Sequence, residues 1–403
     1  MSDDDVVVVA GARTPFGSFG GSLRDFTVPR LGSLAVREVM ARAGVTGDEV
    51  DELVLGVNLP GSDRSIARQT LLESGIPDSR VAYTVDRACC SSVSALSLAT
   101  RSIRVGEARI AVAGGAENMS RVPYFLEDMR WGHRLGDVKL IDQLVILCPY
   151  THVPRAVQAA DEAAEFGVGR EQQDAWALRS QKRYAAANAE GRFSDELFAV
   201  DLPPTLDGPG RLEADESPRP ETTMEMLAGL PTVYGSRTVT AGNAPGLNTG
   251  ASALLLMDRA SARERGLAPL ATVLATAMVS GHPARIASIP AVAARRVLEK
   301  AGRTLDEVDL IEVNEAFAAV PLVTTLALAD GDEARAAAIR EKVNVNGGAL
   351  AIGHPTGATG ARLVMTLAFE LRRRGGGLGL VTICGGIGEG EAVLLDVPAA
   401  VPS

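Results

Sequence analysis

Short apolar runs rich in β-branched residues alternate along this chain with longer Ala/Leu/Arg segments of helical period. That alternation restricts the fold more than any other feature. Residues 6–10, 52–57, 109–113, 253–257, 270–279, 308–313, 378–383 and 392–396 read as buried strands. Residues 28–43, 91–105, 171–190, 291–301, 316–329, 332–342 and 359–374 read as helices. Strands this uniformly apolar need cover on both faces, so the expectation is an α/β fold with helices on each side of its sheets.

One order of features occurs twice. Cys89-Cys90-Ser91-Ser92 opens an apolar helix, followed by a Gly/Arg break, the strand 109–113 and Gly114-Gly115. Gly353-His354-Pro355-Thr356-Gly357 likewise opens an apolar helix, followed by a basic turn, the strand 378–383 and Cys384-Gly385-Gly386. Two copies of one α/β unit would set their matching helices side by side in the middle. Between them, 121–242 has a different texture: 202–220 is Pro/Gly/acidic loop, and 171–190 alone reads as helix. A long irregular excursion in a compact enzyme points to a binding or lid element.

Charge and cysteine usage exclude several function classes. A net charge of −10 argues against nucleic acid or an anionic membrane as the main partner. Four scattered cysteines, without C-x-x-C spacing, provide neither a disulfide framework nor a metal cluster. The acidic start Met1-Ser2-Asp3-Asp4-Asp5 lacks the positive region of a secretory signal, and 6–10 is too short for its apolar segment. Val401-Pro402-Ser403 is no retention address. The expectation is a soluble, cytoplasmic protein with reduced thiols and no bound metal.

Chemistry concentrates at the junctions. Cys89 stands where a strand meets a helix, a place where dipole and free backbone N–H groups can lower a thiol from about 8.5 toward 3.5–7.5 and hold an oxyanion. Of the four histidines only His354 sits in a dense glycine frame, which lets backbone approach a ligand closely. Cys384 and Asn314 both end apolar strands. The C-terminal ends of strands are where α/β sheets carry active sites, and a thiol with a base from another segment indicates covalent thiol catalysis.

These residues carry a resemblance. Ala12-Arg13-Thr14-Pro15, Phe19-Gly20-Gly21-Ser22-Leu23, Ala67-Arg68-Gln69, Cys89-x-Ser91, Ala113 through Ser120, and Thr238 through Asn243 match the thiolase family. So do Asn314-Glu315-Ala316-Phe317, Gly353-His354-Pro355 and Cys384-x-Gly386, and the match runs nearly end to end. The resemblance implies a five-layer αβαβα sandwich of two similar halves, 1–120 with 243–270 and 271–403, and an inserted loop domain at 121–242. It implies CoA-dependent cleavage of 3-ketoacyl-CoA, or the reverse Claisen condensation, with CoA as co-substrate and no permanently bound cofactor. Homodimers or homotetramers are implied too, 131–137 falling in the part of the loop domain that builds tetramers in some members.

By the same resemblance Cys89 is the nucleophile, His354 takes its proton, Cys384 is the acid/base at Cα, and Asn314 holds a water that forms an oxyanion hole with His354. The backbone N–H groups of Cys89 and Gly386 form the other hole. Arg219, Thr223, Ala244 and Phe317 fall at substrate- and CoA-binding positions.

The departures cluster around the substrate. Asp86 replaces an Asn, Cys90 follows the nucleophile, Pro245 replaces a pantetheine-contacting Ser, and Val320 replaces a Gln. Pro154-Arg155-Ala156 stands for the His-Met-Gly of the acyl pocket, and Arg285-Ile286-Ala287-Ser288 for a Gly-x-Gly-Pro stretch. The expected specificity is therefore not plain acetoacetyl-CoA, with Arg155 or Arg285 facing a polar or carboxylated acyl tail. Competing readings are a synthase-type condensing enzyme, against which Cys384 counts, and a catalytically impaired scaffold subunit.

Overall fold

The computed structural model describes residues 2–145, 147–204 and 210–400. The terminal tripeptide Val401-Pro402-Ser403, Met1 and the middle of the 202–220 loop lie outside the described residues. Its long strands are β1 (Val6–Arg13), β2 (Glu52–Gly56), β3 (Val81–Val85), β4 (Ile110–Asn118), β5 (Asn248–Asp258), β6 (Ala271–Ser280), β7 (Leu310–Val313), β8 (Gly377–Cys384) and β9 (Glu389–Val397). The helices that frame the site are α1 (Val28–Ala43), α2 (Ile66–Glu73), α3 (Ser91–Arg104), α4 (Arg155–Glu165), α5 (Arg170–Ala189), α6 (Met224–Ala228), α7 (Ile289–Ala301), α8 (Ala319–Leu328), α9 (Glu333–Glu341), α10 (Ala349–Ile352) and α11 (Thr356–Arg373).

The strands run in the order β7-β8-β9-β6-β1-β5-β4-β2-β3. In the first half β5 is antiparallel to β1 and β4, while β4, β2 and β3 are parallel; in the second, β9 is antiparallel to β6 and β8, while β8 and β7 are parallel. The halves touch through β1 and β6 at Val7↔Thr272 and Val8↔Ala271, which makes the two expected sheets one continuous ladder.

Side-chain alternation sorts the layers. On β5, Leu254 and Leu256 enter a central core, whereas Ala253, Leu255 and Met257 enter an outer one with α1 and α2. On β9, Val393 and Leu395 face the central core and Ala392 and Leu394 the opposite outer one, with α7 and α8. The central core holds α3 and α11, packed on each other and on strands of both halves. The layers are thus helix, sheet, helix, sheet, helix.

The repeat is closer than the sequence order reveals. α1 ends at left-handed Gly44 and α7 at left-handed Gly302, each followed by a short helical turn capped by Thr46/Glu49 or Thr304/Glu307. Asp51 then accepts from the Ile110 backbone N–H, as Asp309 does from that of Leu378. β1 and β6 carry a register shift at matching places, Val8/Ala10 and Val273/Ala275. The glycine pairs do not match, however. Ala111 pairs with Glu52 and Gly379 with Leu310, so Cys384 is the counterpart of Ala116, and Gly114-Gly115 falls three residues out of register with Gly385-Gly386.

Two elements escape the sequence pattern for physical reasons. β3 is an edge strand with exposed or half-buried side chains, so it shows no buried apolar run. α4 buries Gln158 and Glu162 within its apolar stripe, which masks its period. The excursion after Asn118 therefore contains α4 as well as α5.

Candidate active site

Cys89 and His354 occupy equivalent places in the repeat, each two residues before its central helix. Because α3 and α11 lie against each other, the two side chains meet: His354 Nε2 is 3.2 Å from Cys89 Sγ. The close helix contact depends on Gly360, where an added methyl group would lie 2.5 Å from Val93 Cγ2 and 2.8 Å from Ser92 Oγ. The Ala361 backbone N–H donates to Ser92 Oγ across the same crossing.

The turn that carries Cys89 is held by its neighbours. Ala88 has a left-handed φ of 50°, unusual for a residue with a Cβ. Ser91 Oγ accepts from the Arg87 backbone N–H at 2.9 Å and donates to the Ala88 carbonyl at 2.6 Å, which accounts for serine in Cys89-x-Ser91. Asp86 accepts from the Ala88 N–H. Arg87 reaches across to Glu389 and to buried Glu391 at the start of β9, tying the turn to the other half.

The tautomer of His354 follows from its partners. Thr359 Oγ1 lies 3.0 Å from the Pro355 carbonyl, to which its single proton is given, and 2.7 Å from His354 Nδ1. Thr359 must therefore accept from Nδ1–H, which leaves the Nε2 lone pair toward the Cys89 thiol. Asn314 Nδ2 also approaches Nε2 at 3.3 Å, and Asn314 Oδ1 is buried without a partner among the described residues.

Burial decides the resting charges. It pushes the Cys89 thiol well above its ordinary range, with Cys384 and Glu117 adding to the effect and Arg155 opposing it. The helix-start expectation of a lowered thiol is thereby overturned: desolvation outweighs the few N–H groups at the turn. Burial, helped by Arg362, holds His354 down to about 3. Cys384 is pushed up to about 12, again chiefly by burial. The site rests as thiol, neutral imidazole and thiol.

Cys384 ends β8 and Gly386 follows it, a methyl there falling 3.5 Å from Ala88 Cβ and 3.6 Å from Arg155 Nε and Nη2. Arg155, the first residue of α4, thus comes to the catalytic turn. Arg285 does not: it pairs with Glu165 and, at 3.8 Å, with Glu162. Those carboxylates lie about 10–15 Å farther along α4 at 1.5 Å per residue. Of the two arginines, geometry brings only Arg155 to Gly386 and the Cys89 turn. Cys148 lies near Arg155; burial raises its thiol, but hydrogen bonds from Thr151, the Tyr150 and Thr151 backbone and Arg155 outweigh it and bring it to about 6.

A cleft of ≈ 650 Å³ is lined by Arg219, Ala244, Gln181, Thr222, Met226 and Leu247, among others. Thr223 is spent differently, accepting from the Met226 N–H to cap α6, while its neighbour Thr222 faces the cleft. Beside Ala244, the Asn243 carbonyl accepts from the Ala318 N–H, so the cleft wall abuts the turn carrying Asn314 and half-buried Phe317.

Several supports of the site carried no assigned role in the sequence. Buried Glu117 accepts from the backbone N–H groups of Asn58, Leu59 and Gly357 and from Thr356 Oγ1, anchoring the start of α11. Asn248 Oδ1 accepts from the His354 backbone N–H. Glu315 accepts from Trp176, Ser180, Asn344 and the Leu350 N–H, joining the Asn314 turn to α5 and α10. A carboxylate inside an apolar strand was the available signal for Glu117; Thr359 and Asn248 had none beyond their place in glycine-rich or polar segments. Among the described residues no cluster suited to a metal ion occurs, and no helix is long and apolar enough to cross a membrane.

Comparison with known proteins agrees with this arrangement. Residues 6–260 match the family model "Thiolase, N-terminal domain" and 267–397 match "Thiolase, C-terminal domain". An acetyl-CoA acetyltransferase of Chromobacterium violaceum is 40% identical over 399 residues, covering 98% of this chain and 100% of that protein. Human mitochondrial 3-ketoacyl-CoA thiolase superposes with a TM-score of 0.92 at 37% identity, over 98% of this chain and 99% of its own. The same human enzyme in complex with CoA superposes with a TM-score of 0.91 at 37% identity, covering 98% of both chains. The chain belongs to the thiolase family and is an acyltransferase of the acetyl-CoA acetyltransferase and 3-ketoacyl-CoA thiolase type.

Proposed function

We propose that this enzyme cleaves 3-ketoacyl-CoA with CoA, or runs the reverse condensation, through an acyl group on Cys89. The observation that carries the reading is the 3.2 Å contact between Cys89 Sγ and an Nε2 left as acceptor by Thr359. As substrate binds, the thiol proton passes to Nε2 and the thiolate attacks the 3-keto carbon. Backbone N–H groups of Cys89 and Gly386 receive the developing oxyanion. The C2–C3 bond then breaks, leaving the acyl group on sulfur and the electron pair on the acetyl unit as its thioester enolate. A water held by Asn314, together with His354, donates to that enolate oxygen. Cys384, held protonated by burial, supplies the proton to C2.

In the second half-reaction the Cys384 thiolate takes the proton of the incoming CoA thiol. CoA sulfur attacks the acyl-Cys89 thioester, and the departing Cys89 thiolate recovers its proton from His354. The order suits a buried site, because no charge has to persist in the resting enzyme. Arg219 and the adjoining cleft receive the nucleotide end of CoA, with Ala244 and Phe317 along the path toward Asn314. The acyl group is other than plain acetyl.

The exposed edge of β3 and the exposed Trp131 and Leu135 support assembly with further copies of this chain. The intact Cys89, His354, Cys384 and Asn314 set speaks against a non-catalytic scaffold, and Cys384 against a synthase-type condensing enzyme. Incubation with 3-ketoacyl-CoA in the absence of free CoA tests the proposal. An acyl mass increment on the Cys89 peptide, absent in Cys89→Ala, is expected; release of acetyl-CoA without that increment overturns it.

A further inference from the structure

Arg155 is placed and partnered in a way that the thiolase reading leaves unexplained. Its guanidinium lies beside Gly386 and the Cys89 turn, and it is only partly exposed. Among the described residues it forms no ion pair with a carboxylate. Its Nη1 donates to Gln158 Oε1 at 3.0 Å, and it also hydrogen-bonds the Cys148 thiol. Gln158 is itself locked, because its Nε2 donates to Thr151 Oγ1 at 2.8 Å and to the Pro283 carbonyl at 3.3 Å. A buried amide and the Cys148 thiol thus orient the guanidinium, and no carboxylate takes part.

The buried carboxylate of the same helix is kept from it. Glu162 is buried but fully engaged, accepting from the backbone N–H groups of Ile286, Ala287 and Ser288 and from Ser288 Oγ. Arg285 and Glu165 complete that separate cluster. The other ionisable neighbours of Arg155 are thiols: Cys89, Cys384 and Cys148. In a chain of net charge −10, an arginine without a carboxylate partner at the floor of the site is set apart for a ligand anion.

The thioester and ketone of a 3-ketoacyl-CoA carry no anion at this end of the substrate. The phosphates of CoA lie at the other end of a long pantetheine arm, and Arg219 serves the separate cleft. Apart from the oxyanion that develops transiently at the Cys89 and Gly386 N–H groups, an anion that reaches Arg155 belongs to the acyl portion retained on Cys89. A guanidinium whose Nε and Nη2 face Gly386 can bind a carboxylate there in a bidentate fork. An apolar tail would instead leave a desolvated cation facing hydrocarbon.

We propose that Arg155 is the specificity-determining residue for acyl chains ending in a carboxylate, so that the substrates are short dicarboxylic 3-ketoacyl-CoA thioesters. This rests on the thiolase reading of the site and names its substrate class. The chain must be short, since the guanidinium neighbours Gly386 directly.

The test compares kcat/KM for thiolysis of two 3-ketoacyl-CoA substrates of equal length, one ending in a carboxylate and one in a methyl group, by the intact enzyme. The carboxylated substrate is expected to lead by roughly 10- to 100-fold, the value of a hydrogen-bonded charge pair. Arg155→Met should reduce that ratio to near one or invert it, and Arg155→Lys should retain part of it, chiefly through KM. A wild-type ratio near one, with both substrates turned over through acyl-Cys89, overturns the inference and leaves the thiolase reading standing. An undiminished ratio in both variants overturns the assignment to Arg155. Absence of turnover and of acyl-Cys89 with either substrate removes the thiolase reading and the inference with it. Thermal melts confirm that each variant is folded, and Arg155→Gln replaces Arg155→Met if that one is not.

Discussion

Thr359 fixes the chemistry of His354 from behind: Oγ1 stands 2.7 Å from Nδ1 while its own proton goes to the Pro355 carbonyl. A side chain that does not touch Cys89 thus determines which ring nitrogen faces its thiol. Thr359→Val keeps the shape but leaves Nδ1 without its acceptor and frees the ring to change tautomer. kcat should fall roughly 10- to 100-fold, the cost of an unsatisfied buried group, with KM little changed. Thr359→Ser should restore most of the rate; equal kcat in Thr359→Val and wild type would show that the tautomer is set elsewhere.

His354 also makes stability depend on pH. Its imidazole is held down to about 3 in the fold, against about 6.5 in an unfolded chain. Between those values the unfolded state binds a proton that the native state refuses. The contribution is therefore complete above pH ~6.5 and is lost as pH falls toward ~3, with a slope of up to about 1.4 kcal/mol per unit. Denaturant titrations of wild type and His354→Asn across this window isolate the term by difference. Parallel curves would mean the imidazole is charged in the native state.

Gly115 leaves no room for a side chain between β4 and the start of α11. An added methyl group would lie 1.9 Å from the Gly357 carbonyl oxygen, backbone against backbone. Gly115→Ala should destabilise by about 3 kcal/mol, since neither β4 nor the start of α11 can retreat without moving Glu117 and His354. Urea unfolding reads this directly, and a loss below about 1 kcal/mol would show that the crossing is loose.

Arg219 is exposed at its cleft, so its contribution to CoA should be small and electrostatic. Arg219→Ala is expected to raise KM for CoA roughly 2- to 5-fold at low salt, with the difference vanishing at high salt. Initial rates at two ionic strengths decide it; a salt-independent change would indicate a packing role instead.

The candidate catalytic residues were legible because each sits in a short motif that fuses chemistry with turn geometry. Cys89-x-Ser91 is an example: the serine clamps the turn on which the cysteine stands. Arg155 and Arg285 were indistinguishable in sequence, both being arginines replacing neutral segments. Only the packing of the 282–288 loop on α4 assigns one to Glu162 and Glu165 and brings the other to Gly386. The direction of the Cys89 shift was misread for a related reason. Helix-start N–H groups are visible in a sequence, whereas desolvation depends on everything that closes over the thiol.

The alternation of strands and helices, the doubled order of motifs and the candidate reactive side chains were determined by the sequence alone, because periodicity and turn chemistry are local. Tertiary structure decided the rest. It joined the two sheets through Val7 and Thr272, shifted the repeat so that Cys384 matches Ala116, and brought Cys89 and His354 to 3.2 Å. It also set their charges. Those outcomes depend on which distant surfaces exclude water from one another, and no local pattern encodes that.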